Sequence, residues 1–447
     1  MIPTTRLIFW TAVIVLPFAA VAPAVPGALW LAVAIITAFI VLAVTDALRA
    51  RQNLATVSVQ LPALVRLQKD HPGSFEVTID HPSHPPFVRV GLPLPDAFRE
   101  DAHEQIIRLA PSAARSRFTW ECTASRRGRY TIDCAYLELR SPAGFWAARA
   151  RRTVQCELRV YPNLFQERRQ VAAIFLRRAQ AGVHTQRQAG QGREFEKLRN
   201  YLPGDPLGDI HWKASAKRGE LVTRLHQVER THEVYVAIDA SRLSGRPVAA
   251  HDPAGRPAAV ALERYVAATL VLALAAEQQG DQFGLITFSD RVLSCVRASS
   301  GSAHFDACRD ALYTLQPRKV SPDFDELFTF IRLRIRKRAL LIVLTALDDP
   351  VLAESFVTAS EMAARQHLVL VDLLQPAEVR PLFSEAQPPG SAHDLYRNLA
   401  GHLRWHKLRE LQKVLQRRGV RLSLLDPAQL SAQMIAQHSE IRARQLV

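Results

Sequence analysis

Asp205, Asp209, His211 and Ser215 stand close together in the chain, and a histidine beside carboxylates and a hydroxyl is the set a hydrolase or phosphoesterase uses as general base and nucleophile. The spacing argues against that use. Such groups are normally brought together from separate elements, and the chain has neither a G-x-S-x-G elbow nor a phosphate-cradling Gly-rich loop ahead of a helix. A hydrolase built on His211 and Asp205 is therefore the alternative. The preferred reading is a structural clasp in which Trp212 fills a pocket and Asp205 caps a turn.

The elements that position these groups follow from the surrounding stretch, EFEKLRNYLPGDPLGDIHWKASAK over residues 194–217. Glu194, Phe195, Leu198 and Arg199 recur at helical offsets, and Pro203-Gly204-Asp205-Pro206 then forces a turn, because proline lacks a donor and glycine supplies positive φ. Beyond the loop Ile210 and Trp212 alternate with His211 and Lys213, and Ala214, Ser215 and Ala216 are small enough for another backbone to approach closely. The pattern E-F-x-x-L-R-x-Y-x-x-G-D followed by I-H-W-x-x-S-A-K resembles the signature of domain-of-unknown-function family 58, a family of bacterial membrane proteins. Glu194, Phe195, Leu198, Arg199, Tyr201, Gly204, Asp205, Ile210, His211, Trp212, Ser215, Ala216 and Lys217 carry the resemblance. Members often have arginine between Asp205 and Ile210, where this chain has Leu207, Gly208 and Asp209.

From residue 233 onward, apolar runs at 234–239, 283–288, 340–344, 368–373 and 420–425 alternate with amphipathic stretches. That order predicts a doubly wound, mostly parallel α/β sheet covered on both faces, with ligands bound beyond the carboxyl ends of its strands. Two helical stripes supply core: Leu262, Tyr265, Val266, Thr269, Leu270, Ala273 and Leu274, and then Phe324, Leu327, Phe328, Ile331 and Ile335. Residues 331–336 also alternate with period two, which leaves the end of the second helix open.

Asp239-Ala240-Ser241 closes the first of these strands and resembles the metal-ion-dependent adhesion site of von Willebrand factor A-type domains. The resemblance implies an α/β domain of that type and a Mg²⁺ ion held by oxygen ligands. Asp239 and Ser241 fit it. Leu243 replaces a second serine, Ser321 stands near the expected threonine, and Ala346 occupies the place of a later carboxylate, with Asp348 and Asp349 just beyond. The expected site is thus a degenerate one in which Arg242, beside Ser241, substitutes for the ion in holding a partner carboxylate.

Residues 7–45 carry no charge, whereas one membrane-spanning helix needs roughly 20 residues. Pro23 and Pro26-Gly27 divide the run, Arg6 precedes it, and Arg49 and Arg51 follow. The positive-inside rule predicts a transmembrane hairpin with both ends, and all that follows, on the cytoplasmic side of the bacterial inner membrane. Ala22-Pro23-Ala24 also fits a signal-peptide cleavage site, a reading that the second apolar run and its basic stop disfavour.

Between 54 and 162, short alternating runs at 56–61, 75–79, 87–90, 118–122 and 130–139 are separated by Pro, Gly, His and Ser, the rhythm of a β-sandwich. Residues 127–130 and 141–146 read as turns that connect strands, and His71, His81 and His84 lack ligand spacing. Residues 164–192 read as a basic helix and a flexible lead-in that attracts anionic membrane lipids. The organisation expected is 1–50 hairpin, 51–163 β-sandwich, 164–231 linker helix with signature block, and 232–447 α/β domain.

A net charge of +15 admits nucleic acid, anionic surfaces or acidic proteins as partners, but no nucleic-acid reading motif accompanies it, so no specific nucleic acid is expected. Nucleic-acid or anionic-surface binding is kept as an alternative. The five cysteines have neither zinc nor disulfide-framework spacing and read as buried thiols. Relatives in the resembled family are often associated with MoxR-type AAA+ ATPases, which implies a membrane-anchored scaffold for such a partner rather than an enzyme.

Overall fold

In the computed structural model the described residues are 1–21, 29–81, 86–99, 103–109, 113–165, 189–202, 210–227, 232–248, 260–376, 379–382 and 391–444. The chain divides into two compact units, Met1–Asn163 and Leu164–Val447.

The first unit runs β1 (Ile2–Pro3), α1 (Thr5–Val21), α2 (Leu29–Thr56), β2 (Ser58–Gln60), β3 (Leu64–Gln68), β4 (Pro72–Asp80), β5 (Phe87–Gly91), β6 (Glu104–Arg108), β7 (Arg115–Thr123), β8 (Gly128–Arg140) and β9 (Trp146–Tyr161). One sheet has the order β1-β9-β8-β5-β6, with β3 also paired to β9, and a second has the order β2-β4-β7. Alternating side chains from both sheets meet in one core that includes Val77, Ile79, Trp120, Val90, Leu137 and Leu158. The strand β9 is longer than anything read from its sequence, because its outward positions include arginines and its inward ones small alanines.

Helix α2 is long and apolar enough to cross a membrane, and α1 is a shorter apolar helix. The last turns of α2 belong to the β-rich core: Ala50 is buried there at the boundary expected at residue 50, and Leu54 past it. Upstream of them, the buried Asp46 accepts the backbone N–H of Ala143 at 2.9 Å and of Phe145 at 3.4 Å, and Trp146 Nε1 donates to the Ala43 carbonyl at 2.9 Å. At the other end of the apolar run, Ile2 and Pro3 pair with Ala147 and Trp146, and Thr4 Oγ1 donates to the Gly144 carbonyl. The 141–146 turn, read from sequence as turn chemistry alone, thus receives both flanks of the helices.

The second unit begins with an antiparallel ribbon of β10 (Ala189–Asn200) and β11 (Val222–Gln227), with the short helix α3 (Trp212–Arg218) between them. There follow β12 (Glu233–Asp239), α4 (Ala261–Gln278), β13 (Gln282–Phe288), β14 (Val292–Ser299), α5 (Ser302–Leu312), α6 (Phe324–Arg334), β15 (Leu340–Thr345), α7 (Pro350–Gln366), β16 (Leu368–Leu374), α8 (Ala392–Arg417), β17 (Val420–Leu425) and α9 (Leu430–Ala443). The six-stranded sheet has the order β14-β13-β12-β15-β16-β17, parallel except for the edge strand β14.

Successive β12 residues point to opposite faces: Val234, Val236 and Ile238 pack with α4, α5 and α9, while Tyr235 and Ala237 pack with α6, α7 and α8. The sheet is therefore covered on both sides, as the continuous apolar strands require. Gly284 on β13 lets the Tyr235 ring lie across the strand, since a Cβ there would come within 2.3 Å of it. The helix end left open by the sequence is settled by the backbone: α6 stops at Arg334, and Ile335 is extended.

Three expectations are corrected. Glu194, Phe195, Leu198 and Arg199 lie in strand β10, not a helix, because β11 offers a ladder and register that local periodicity does not reveal. Four cysteines are buried but Cys295, on the edge strand β14, is exposed. The basic helix and flexible lead-in expected over 164–192 fall mainly outside the described residues, and the end of the lead-in, from Ala189 on, is strand.

Candidate functional site

In the six-stranded sheet the chain steps from β12 to β13 on one side and later to β15 on the other, so the strand order reverses between β12 and β15. A crevice at the carboxyl ends of such strands is the usual ligand position of this architecture. Asp239 ends β12 and Thr345 ends β15, and their side chains meet at this point: Thr345 Oγ1 donates to Asp239 Oδ2 at 2.7 Å.

The second carboxylate oxygen, Oδ1, accepts the Ser241 backbone N–H at 2.7 Å, and Ser241 Oγ accepts the Leu243 N–H at 3.3 Å. Asp239 and Ser241 therefore shape the loop that leaves β12, each through a side chain bonded two residues ahead. Both are fully buried. Burial pushes the Asp239 carboxyl above the usual carboxylate range, against the lowering effect of its hydrogen bonds to Thr345 and Ser241. Behind it, the buried Tyr265 hydroxyl donates to the Thr345 carbonyl at 2.8 Å, and burial holds that phenol well above its ordinary value.

This donor set does not fit a hydrated divalent ion. Asp239 and Ser241 each spend part of their accepting capacity on hydrogen bonds within the fold, and two further ligand oxygens are missing, since Ala346 and buried Leu243 offer carbon where they are needed. The acids beyond β15 are engaged too: Asp348 pairs with Arg246 at 2.7 Å, and Asp349 accepts the Val351 N–H at the start of α7. Among the described residues no group of three or more His, Cys, Asp or Glu side chains is placed to hold a metal.

Three arginines face outward at this edge, two of them paired with exposed acids. Arg242 is exposed, its backbone N–H donates to the Val320 carbonyl, and its Nε donates to Ser321 Oγ at 3.3 Å, so Ser321 orients an arginine rather than an ion. Arg318 donates to the Ala240 carbonyl through its backbone, and its guanidinium reaches Ser289 at 3.3 Å and Asp290 at 3.2 Å. Arg246 and Arg318 were not singled out in the sequence. Their signal is faint, because each lies in a loop with no periodicity and meets its acid across a long separation.

The signature block is built around the ribbon rather than a catalytic centre. His211 caps α3, its Nδ1 accepting the Ala214 N–H at 3.1 Å. Ser215 Oγ donates to the His211 carbonyl at 3.1 Å and accepts the Val222 N–H at 2.9 Å, so its hydroxyl is bound to backbone and not to the imidazole. Ile210 and Ser215 are buried, Leu198 and Tyr201 are half-buried, and Lys217 is exposed. Gly204 and Asp205 lie outside the described residues, as do the Glu194, Phe195 and Arg199 side chains.

Trp212 corrects the clasp reading. It is 65% exposed, so it fills no pocket. Helix α3 begins at Trp212 itself, which turns the indole out at the first helical position, whereas the alternation read from Ile210 to Lys213 assumed a continuing strand. The buried member of the pair is Ile210, bridged to Thr223.

Residues 197–381 match the family described as "Protein of unknown function DUF58". Solved structures similar to parts of the chain include an aerotolerance-related membrane protein from Bacteroides fragilis NCTC 9343 with multiple mutations to serines, at 15% identity and a TM-score of 0.30, covering 47% of this chain and 98% of that one. Another is the conserved hypothetical protein BatB from Bacteroides thetaiotaomicron, at 15% identity and a TM-score of 0.29, with the same coverage of 47% and 98%. The SpRpn10 VWA domain is 11% identical over 45% of this chain and 93% of that one, with a TM-score of 0.26. No curated protein matches the chain.

Proposed function

We propose that this chain, whose residues 197–381 carry a DUF58 domain, is a membrane-anchored scaffold that binds an acidic protein partner at the switch-point edge of its doubly wound sheet. The observation that carries the reading is the closed Asp239–Thr345 pair with Arg242 turned outward beside it. The arrangement serves a metal-independent variant of a von Willebrand factor A-like edge, in which a guanidinium takes a carboxylate through two parallel bonds. A MoxR-type AAA+ ATPase is the partner the family resemblance implies.

The anchor in this proposal is a transmembrane hairpin, followed by a β-sandwich on the cytoplasmic side of the inner membrane. It is supported by the attachment of both flanks of the apolar run to one turn, through Ile2 and Pro3 at one end and Asp46 at the other. Arginines on those flanks favour the cytoplasmic side. The sharing of one core by the two sheets supports the sandwich. Anionic lipids add general electrostatic attraction to a chain of net charge +15.

Affinity purification of the full chain from solubilised membranes, in excess Mg²⁺ and in EDTA, tests the proposal. The same co-purifying partner is expected under both conditions, and it should be lost with Arg242→Ala. A complex that dissociates on chelation yet tolerates the arginine substitution overturns the reading and restores the metal.

A further inference from the structure

Helix α8 is held on the sheet by one face only. Leu408 and Leu415 are buried, Trp405 and Leu411 pack on the same core, and Gln412 Nε2 donates to the Leu422 carbonyl of β17 at 2.9 Å. On the side turned away, Leu395, Leu399 and Leu403 stand one helical turn apart and remain 51%, 43% and 57% exposed, with Tyr396 beside them at 71%. A contiguous apolar strip of this kind marks an interaction surface.

One side of it is cationic. Exposed Lys407 stands four residues past Leu403 and exposed Arg404 directly follows it, while exposed Arg397 lies further round the same stretch of helix. Asp394, the only carboxylate in the first four turns, is engaged at the helix start, where it accepts Ser391 Oγ at 2.7 Å. A convex helix with leucines and a tyrosine flanked by exposed arginine and lysine complements an anionic lipid surface, where the apolar side chains enter the headgroup boundary and the cations stay among the phosphates. A protein partner of such a ridge would have to supply a groove and acids to match.

We propose that the outward face of α8 is a second membrane contact, selective for anionic lipid. This rests on the membrane-anchored reading above, because three leucines and a tyrosine bind a surface weakly alone, and an anchor that keeps the surface near raises their effective concentration.

The test uses the full chain in vesicles of phosphatidylcholine alone or of phosphatidylcholine and phosphatidylglycerol in equal parts. A polarity-sensitive label is placed at Leu399→Cys with Cys295→Ser, the other four cysteines being buried. The expected result is a blue-shifted emission and protection from aqueous iodide in the anionic vesicles only, both lost when Arg397, Arg404 and Lys407 become glutamine. Equal iodide quenching in the two vesicle types overturns the proposal, as does protection that appears in detergent without lipid, which indicates a second copy of the chain on the strip. Leu403→Cys repeats the measurement should the first variant misfold. Flotation after an alkaline carbonate wash separates the two readings: a chain that floats while its label stays in water loses the α8 contact but keeps the anchor, and a chain that washes off loses both.

Discussion

Thr345 Oγ1 donates to Asp239 Oδ2 at 2.7 Å, tying the carboxyl ends of two neighbouring parallel strands at the point where the strand order reverses. With its other oxygen on the Ser241 N–H, each oxygen of the buried carboxylate has a donor. The pair fixes the loop that presents Arg242.

Thr345→Val removes that donor and leaves a buried acceptor unmet, at a cost of about 1–3 kcal/mol, whereas Thr345→Ser keeps the hydroxyl and most of the stability. Thermal melts of the two variants in detergent check this. Equal melting of the valine and serine variants would show that the bond contributes nothing.

Asp372 makes the stability of the second unit pH-dependent. It is fully buried in β16, and burial pushes its carboxyl up to about 7 against the lowering effect of the Gln437 amide, which reaches both oxygens at 3.1 and 3.3 Å when its nitrogen is the end turned toward them. An unfolded aspartate titrates near ~4, so between pH ~4 and about 7 the folded chain holds a proton that the unfolded chain has released. Stability falls as pH rises through that window, by up to about 1.4 kcal/mol per pH unit, and the contribution levels off above it. Asp372→Asn should flatten this slope in denaturant melts at acid and neutral pH. An unchanged slope would assign the pH dependence to other groups.

Trp212→Ala should leave stability within about 0.5 kcal/mol of the parent, as expected for an exposed side chain away from a packed site. Should the variant melt several degrees lower, the indole must be covered in the folded protein.

Asp46→Ala should destabilise the first unit by roughly 1–3 kcal/mol, because the Ala143 and Phe145 N–H groups lose their acceptor. Asp46→Asn retains one acceptor oxygen and should fall between alanine and parent. Limited proteolysis at the 141–146 turn reads the effect directly: a turn no more susceptible in the alanine variant would rule the contact out as a clamp.

The parallel sheet was legible because its strands, buried on both faces, are continuous apolar runs such as 340–344, and each is followed by a helix with its own stripe. Strand β14 was not: at an edge it needs only one apolar face, and VLSCVRAS shows a weak alternation. Strand β10 was misread because a ribbon's pairing is set by a partner more than twenty residues on, while Glu194, Phe195 and Leu198 also satisfy a helical spacing. At the candidate site, Asp239, Ser241 and Arg242 were readable as a strand end followed by a loop. The closure by Thr345 was not, since two hydroxyl- and carboxylate-bearing residues 106 positions apart reveal their meeting only through sheet order. Asp46 escaped for a similar reason: a carboxylate just past an uncharged run reads as the edge of a span, and the turn that receives it lies in another sheet element.

The attachment of the apolar helices to the 141–146 turn has a consequence for the order in which the molecule is made. Asp46 emerges 97 residues before Ala143, and Thr4 precedes Gly144 by 140. At translation rates of about 5–20 residues per second, that is a wait of roughly 5–20 s for Asp46. Throughout it, α1 and α2 exist without the strands that grip their ends, so in the membrane-anchored reading proposed above their initial depth in the bilayer would be chosen by hydrophobicity and flanking arginines alone. The β8–β9 turn arrives later and locks whichever register it finds. On that reading, a substitution that shifts α2 by a turn would leave insertion intact and reveal itself as a folding defect at the 141–146 turn, some hundred residues downstream.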